Sequence, residues 1–361
     1  MKYTLEIQKI LFQADDNKSL SPKDKIRLLK QAVAIADDND DVEWGYDVRM
    51  QLIRECYFVA SATDLINEFS WILNAYENHP DWFDENDFLW QYKWILVRMY
   101  NNSQVSMEQI NAVMEDFKTR LRRNGYGLRP YYDRLYDETL IIGDLEKAKE
   151  YLDLRNEAPD DAMGSCQACT LDYELDYYLA IDDFDEAYNR ATPLLTKQIS
   201  CTHVPARTFC ALAYHAGKKG KTALAAELFE RAEEEMSVLF DLNDENLIVP
   251  VGLLICYLFG VNEERAWYYI EKTLPWYIES DDYARYKYAA CLIEGLNKLT
   301  ADKTATLELP TEFELYNASH TYPAAELKAY FKRTAWQLAE AFDKRNNCHT
   351  FRDRLRSETG S

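Results

Sequence analysis

The sequence predicts an all-α protein built as an array of helix pairs, and three observations carry that reading. Only 11 glycines and 10 prolines punctuate the 361 residues. Between them, apolar residues recur at three- and four-residue spacing with few alternating runs, which is the helical period. A short pattern centred on alanine also returns at a nearly fixed interval. Its anchors Ala148, Ala187, Ala225 and Ala266 lie 39, 38 and 41 residues apart, and self-similarity of this period means stacked units that each pack on their neighbours.

From the N-terminus, Pro22-Lys23-Asp24-Lys25-Ile26-x-x-Leu29-x-x-Ala32 forms the first unit, a weaker copy surrounds Phe69, and Ser106-Met107-Glu108-Gln109-Ile110 falls at the extrapolated spacing. The acidic run Asp37-Asp38-Asn39-Asp40-Asp41 lies between helices and reads as a solvated loop. The second-helix half then recurs as Gly143-Asp144-Leu145-Glu146-Lys147-Ala148-x-x-x-Leu152, Asp183-Phe184-Asp185-Glu186-Ala187-x-x-x-Ala191 and Asn262-Glu263-Glu264-Arg265-Ala266-x-x-x-Ile270. In Phe209-x-x-Leu212-Ala213-x-x-Ala216, Gly220 and Ala225-x-x-x-Phe229-x-x-Ala232, small residues sit where two helices can cross closely, and the glycine supplies the turn. From Thr300 to Pro310 the pattern lapses into a polar, β-branched segment. The predicted organisation is a repeat array over 1–299, an irregular connection over 300–320, a capping helix over 321–347 and a frayed tail over 348–361. The stripe of the capping helix is Leu327, Tyr330, Phe331, Ala335, Leu338, Ala341 and Phe342.

The stretch from Phe209 to Ala232 resembles the tetratricopeptide (TPR) repeat, with its large–Leu–small first helix and its Ala–large–Ala second helix; Ala216 departs from it where that family usually has Tyr. The resemblance implies a right-handed α-solenoid of about seven TPR-like helix pairs. It also implies that the first helix of each pair lines a concave face and contacts the ligand. The outward positions are Tyr92 in the third copy, Asp133, Arg134 and Asp137 in the fourth, Asp172, Tyr173 and Asp176 in the fifth, and Arg207 and Tyr214 in the sixth. Four aspartates on two neighbouring helices would make an acidic patch with aromatic edges, suited to a basic protein or peptide. The other reading of the same residues is the solvated face of an acidic protein.

Composition narrows the partner. Lys and Arg number 41 against 62 Asp and Glu, a formal charge of −21, so the average field repels phosphate backbones and anionic lipid. Neither nucleic acid nor a membrane is expected. The most apolar stretch, Val249 to Val261, is too short to span a bilayer and contains Pro250. Met1 to Glu6 shows no apolar run behind a basic start, so a cytoplasmic location is expected. Nothing in the sequence speaks to oligomeric state.

Chemistry-bearing motifs are few. Gly220-Lys221-Thr222 ends like a phosphate-binding loop, but His215 stands where that loop needs its first glycine and a helix precedes it, so an inter-helix turn is expected. No His-Glu-x-x-His, Gly-x-Ser-x-Gly or Gly-x-Gly-x-x-Gly occurs, and the histidines at 79, 215, 320 and 349 lack ligand-pair spacing. Cys166-Gln167-Ala168-Cys169 followed by Cys201-Thr202-His203 is the one cluster with metal-ligand chemistry. Cys166, Cys169, Cys201 and His203 would start the opening helices of adjacent repeats, whose starts lie roughly 10 Å apart. Structural zinc, thiol reactivity and inert core cysteines all remain open there. The cysteine pair and the closing stretch Leu338 to Asn347 also resemble features of uncharacterised bacterial repeat proteins, which implies no activity. The expected function is a non-enzymatic binding module without a cofactor, unless the cysteines hold zinc. It would act as adaptor or inhibitor of a basic partner, an immunity protein against a cationic toxin being one version. A peptide-sensing regulator and a zinc- or thiol-dependent enzyme are the alternatives.

Overall fold

Helix starts are written into this chain as short polar side chains that take up otherwise unpaired backbone N–H groups. Asp144, Asp183 and Asn262, the motif residues four before the anchors Ala148, Ala187 and Ala266, each accept the N–H three residues on at 3.1 Å. Ser106 and Gln109 form a reciprocal capping box. The computed structural model describes residues 2–16, 20–57, 59, 63–241 and 243–360. Among these it has eighteen α-helices and a single two-stranded sheet.

The first half comprises α1 (Lys2–Asp16), α2 (Pro22–Asp38), α3 (Val42–Cys56), α4 (Thr63–Asn78), α5 (Asn86–Asn101), α6 (Met107–Arg123), α7 (Arg129–Ile141) and α8 (Leu145–Glu157). The second begins with α9 (Gln167–Ala180), α10 (Phe184–Arg190), α11 (Thr192–Leu195), α12 (Ala206–Lys218), α13 (Thr222–Asp241), α14 (Ile248–Leu258), α15 (Glu263–Glu279) and α16 (Asp282–Leu296). After β1 (Thr304–Thr306) and β2 (Thr321–Pro323), the chain closes with α17 (Ala324–Asn346) and α18 (Thr350–Thr359). Helices adjacent in sequence pack on one another, and the anchors Ala148, Ala187, Ala225 and Ala266 are fully buried. Gly220, at φ +70°, makes the turn from α12 to α13 in the left-handed conformation that a side chain would strain.

Two large apolar clusters form the core, one running from Ile7 to Met163 and the other from Ala168 to Leu355, with Ile141 and Ile142 packed against both. The apolar helix α14 is consumed by the second cluster, and no described helix is long and apolar enough to cross a membrane.

Four segments differ from their sequence reading. The 348–361 tail, expected to fray, contains α18, whose Phe351 and Leu355 are fully buried against the second cluster. The 300–320 connection is ordered by antiparallel pairing of β1 with β2, Ala305 opposite Tyr322, and by burial of Leu307, Leu309 and Phe313. β2 also takes the first residues assigned to the capping helix, which begins at Ala324 and packs on α16. The acidic run is not merely solvated: Asp37 forms a bidentate pair with Arg49, and Asp41 caps α3 while accepting the Tyr3 hydroxyl.

The early and late helices also meet. Arg98 and Asn101 of α5 both donate to Asp281 at 3.1 Å, and Ser103 donates twice to Asp282. Arg345 of α17 donates to the carbonyls of Tyr100 and Asn102. Asn246 reaches the Tyr57 carbonyl at 2.9 Å, and Lys23 bridges Glu245 and Glu279.

Candidate functional site

These ties surround a cavity of about 650 Å³ whose walls come from α5, α7, α9, α12, α14, α16 and α18. Seven of the nine positions assigned to the inner face line it: Arg134, Asp137, Asp172, Tyr173, Asp176, Arg207 and Tyr214. Helical spacing explains this, since residues three and four apart share a face.

The other two lie elsewhere. Tyr92 is 1% exposed, stacked on Phe117 and hydrogen-bonded to Asp116 at 2.5 Å, so its ring belongs to the core of the first half. Asp133 is 3% exposed and faces the buried guanidinium of Arg155 at 3.7 Å. An aspartate among packed helices needs such a partner.

The aspartates therefore do not form an open acidic patch. Asp137 pairs with Arg134 at 2.8 Å, and Asp172 accepts the Thr208 hydroxyl at 2.5 Å with the Arg207 guanidinium 3.5 Å away. Arg207 also lies over the Tyr173 ring at 5.5 Å. The Tyr214 hydroxyl donates to Glu294 at 2.6 Å and receives Lys218 at 3.2 Å. Asp176 alone of the four makes no hydrogen bond or ion pair to a described residue. Across the cavity stand Tyr283 and Lys287 of α16 and Arg354 and Glu358 of α18.

The cavity lining is balanced in charge. Arg98, Arg134, Arg207, Lys218, Lys287 and Arg354 stand among Asp137, Asp172, Asp176, Glu245, Asp281, Glu294 and Glu358, six cationic groups against seven acidic. Burial, reinforced by the Asp172 charge, pushes the Asp176 carboxyl up to about 7. Burial disfavours the Lys287 ammonium, but Glu358 and Tyr283, with Cys291, together outweigh it and its pKa rises. His215 is pushed down to about 4 by burial and by Lys218 and Lys287, so it is neutral at physiological pH.

The Asp176 shift has a measurable sign. A carboxyl raised in the folded state keeps a proton that the unfolded chain has already lost, so its ionisation costs stability as pH rises through the window from about 4 to 7. Asp176→Asn should raise the melting temperature above that of the parent at about pH 8, and the gain should vanish at about pH 4. A difference equal at both pH values would mean that this carboxyl is ordinarily solvated.

The sequence reading missed the α16 and α18 side of the cavity. Tyr283 with Lys287, and Arg354 with Glu358, have the same four-residue spacing as Asp172 with Asp176, but the alanine-centred repeat pattern does not extend to α16 or to the tail.

A second cluster lies at the start of α9. The Sγ atoms of Cys166, Cys169 and Cys201 all fall within 4.8 Å of one another. His203 does not join them: its Nε2 is 2.6 Å from Asp244 Oδ2. All three thiols are free, as are the other five cysteines.

Fold and site together define a mostly helical protein with a partly open, charge-balanced cavity. No protein-family model matches the chain, and no curated protein matches it.

Proposed function

We propose that the protein is a non-enzymatic binding module that takes a short peptide carrying both charges into its central cavity, and that the helices form the TPR-like α-solenoid of the sequence reading. One observation carries this: a cavity of about 650 Å³ is lined on one wall by the predicted inner-face residues and on the other by Lys287 and Arg354. Its volume falls in the range of roughly 300–1,000 Å³ that encloses ligands of drug or short-peptide size. Asp176 supplies an acceptor for a cationic group, Lys287 and Arg354 attract a carboxylate, and Tyr173, Tyr214 and Tyr283 offer rigid contact area. The balanced lining favours the peptide-binding form of the prediction over an open acidic face that grips a basic protein. The net charge of −21 still leaves the outer surface available to a basic partner.

The test is native mass spectrometry of the chain with a defined mixture of synthetic tetra- to hexapeptides. One-to-one adducts should form with peptides bearing both charges and should be reduced in Asp176→Asn and Lys287→Ala. Adducts as abundant in both variants as in the parent chain would place peptide binding outside the cavity.

A further inference from the structure

The three-cysteine cluster is separate from the ligand cavity and needs its own account. Core packing does not explain it. Cys56, Cys210, Cys256 and Cys291 are buried, whereas Cys166 and Cys201 are exposed and Cys169 half-buried. Two segments separated by more than thirty residues bring the thiols together, the first turn of α9 and the loop before α12.

We propose that Cys166, Cys169 and Cys201 bind a zinc ion through three thiolates, with a fourth coordination position open to solvent. Zinc–sulfur bonds near 2.3 Å in tetrahedral geometry set sulfur–sulfur separations of about 3.8 Å. Sγ atoms already within 4.8 Å reach that arrangement by small side-chain rotations. Cys166 occupies the N-cap of α9, and its sulfur accepts the Cys169 N–H at 3.5 Å. Binding releases the thiol protons to solvent. Three thiolates and a dipositive ion leave about one negative charge.

The position matters. Cys169 precedes Tyr173 by one helical turn, on the stripe that continues through Asp172 and Asp176 into the cavity. A bound ion would join the start of α9 to the loop that leads into Arg207 on α12, fixing two cavity walls relative to each other.

The experiment uses full-length chain, fully reduced and metal-free, titrated anaerobically with Co²⁺ and then with Zn²⁺ against a chromophoric chelator. Saturation at one Co²⁺ per chain with a sulfur-to-cobalt charge-transfer band is expected, and Zn²⁺ should abolish that band. Cys166→Ser, Cys169→Ser and Cys201→Ser should each weaken Zn²⁺ binding by at least about 100-fold, the upper end of what loss of an outer-sphere partner costs. Cys348→Ser and His203→Ala should leave it unchanged. Because Cys166 and Cys201 are exposed, their serine variants keep the fold, as a melting curve of the metal-free proteins verifies. Absence of the charge-transfer band in reduced protein, or binding by Cys201→Ser equal to that of the parent, would overturn the proposal.

Discussion

Arg155→Ala should lower the unfolding free energy by about 3–5 kcal/mol, the range for removing one partner of a buried ion pair. Arg155 is fully buried at the end of α8, where it faces Asp133 at 3.7 Å and Glu174 at 3.5 Å and donates to the Thr170 carbonyl and to Asn156. Burial already pushes the Asp133 carboxyl upward against the pull of Arg134 and Arg155. Without the guanidinium, that carboxylate must remain charged without its partner or take up a proton at neutral pH, and both cost stability. Glu174 loses less, because Arg190 holds it at 2.6 Å. Adding Asp133→Asn to Arg155→Ala should recover part of the loss, and a double-mutant cycle by chemical denaturation measures the coupling. A loss below about 1 kcal/mol, the level of an exposed pair, would show that water reaches the site.

Phe351→Ala should cost a similar amount, about 3–5 kcal/mol, through lost burial and the cavity left behind. The ring is fully buried, stacked on Phe342 at 4.9 Å and edge-on to Tyr286 at 5.4 Å. Its backbone is engaged as well, the N–H donating to Asp343 at 2.9 Å and the carbonyl accepting the Tyr286 hydroxyl at 2.9 Å. Loss of the anchor should release α18, and with it Arg354 and Glu358 from the cavity wall. Limited proteolysis should then cut near Asn347, where the chain turns in a left-handed conformation at φ +51°. An unchanged denaturation midpoint and an intact C-terminus would mean that α18 contributes nothing to the fold.

The two substitutions mark where sequence reasoning reached and where it stopped. Helical character and the anchors are legible because Ala148, Ala187, Ala225 and Ala266 recur at a steady period and three of them, Ala148, Ala187 and Ala266, follow polar caps, and local chemistry of this kind does not depend on distant contacts. The inner wall was largely legible for the same reason, since helical spacing places Asp172, Tyr173 and Asp176 on one stripe. The buried pairing of Asp133 was not, because its partner Arg155 lies on another helix and periodicity says nothing of which side chains meet across a crossing. α18 was illegible on similar grounds. Its apolar content reduces to Phe351 and Leu355 among charged residues, and contacts with Asp343, Tyr286, Phe342, Tyr283 and the Ile142 carbonyl make that segment a docked helix. His203 matched the ligand spacing of the cysteines, yet Asp244, forty-one residues on, claims its Nε2.

The ties between early and late helices bear on how this chain comes apart. An open array of repeats loses its terminal units first, because each unit depends only on its neighbours. Here Arg98 is bonded to Asp281, Ser103 to Asp282, and Arg345 to the backbone of Tyr100 and Asn102. Unravelling from either terminus therefore strips partners from helices far away in sequence. The two ends stand or fall together, and denaturation should run as one sharp transition across both apolar clusters instead of a progressive fraying. The same connectivity slows assembly. Contacts separated by roughly half the chain or more form only after a large loop has closed, so folding should be limited by the meeting of the two halves and not by the growth of any helix.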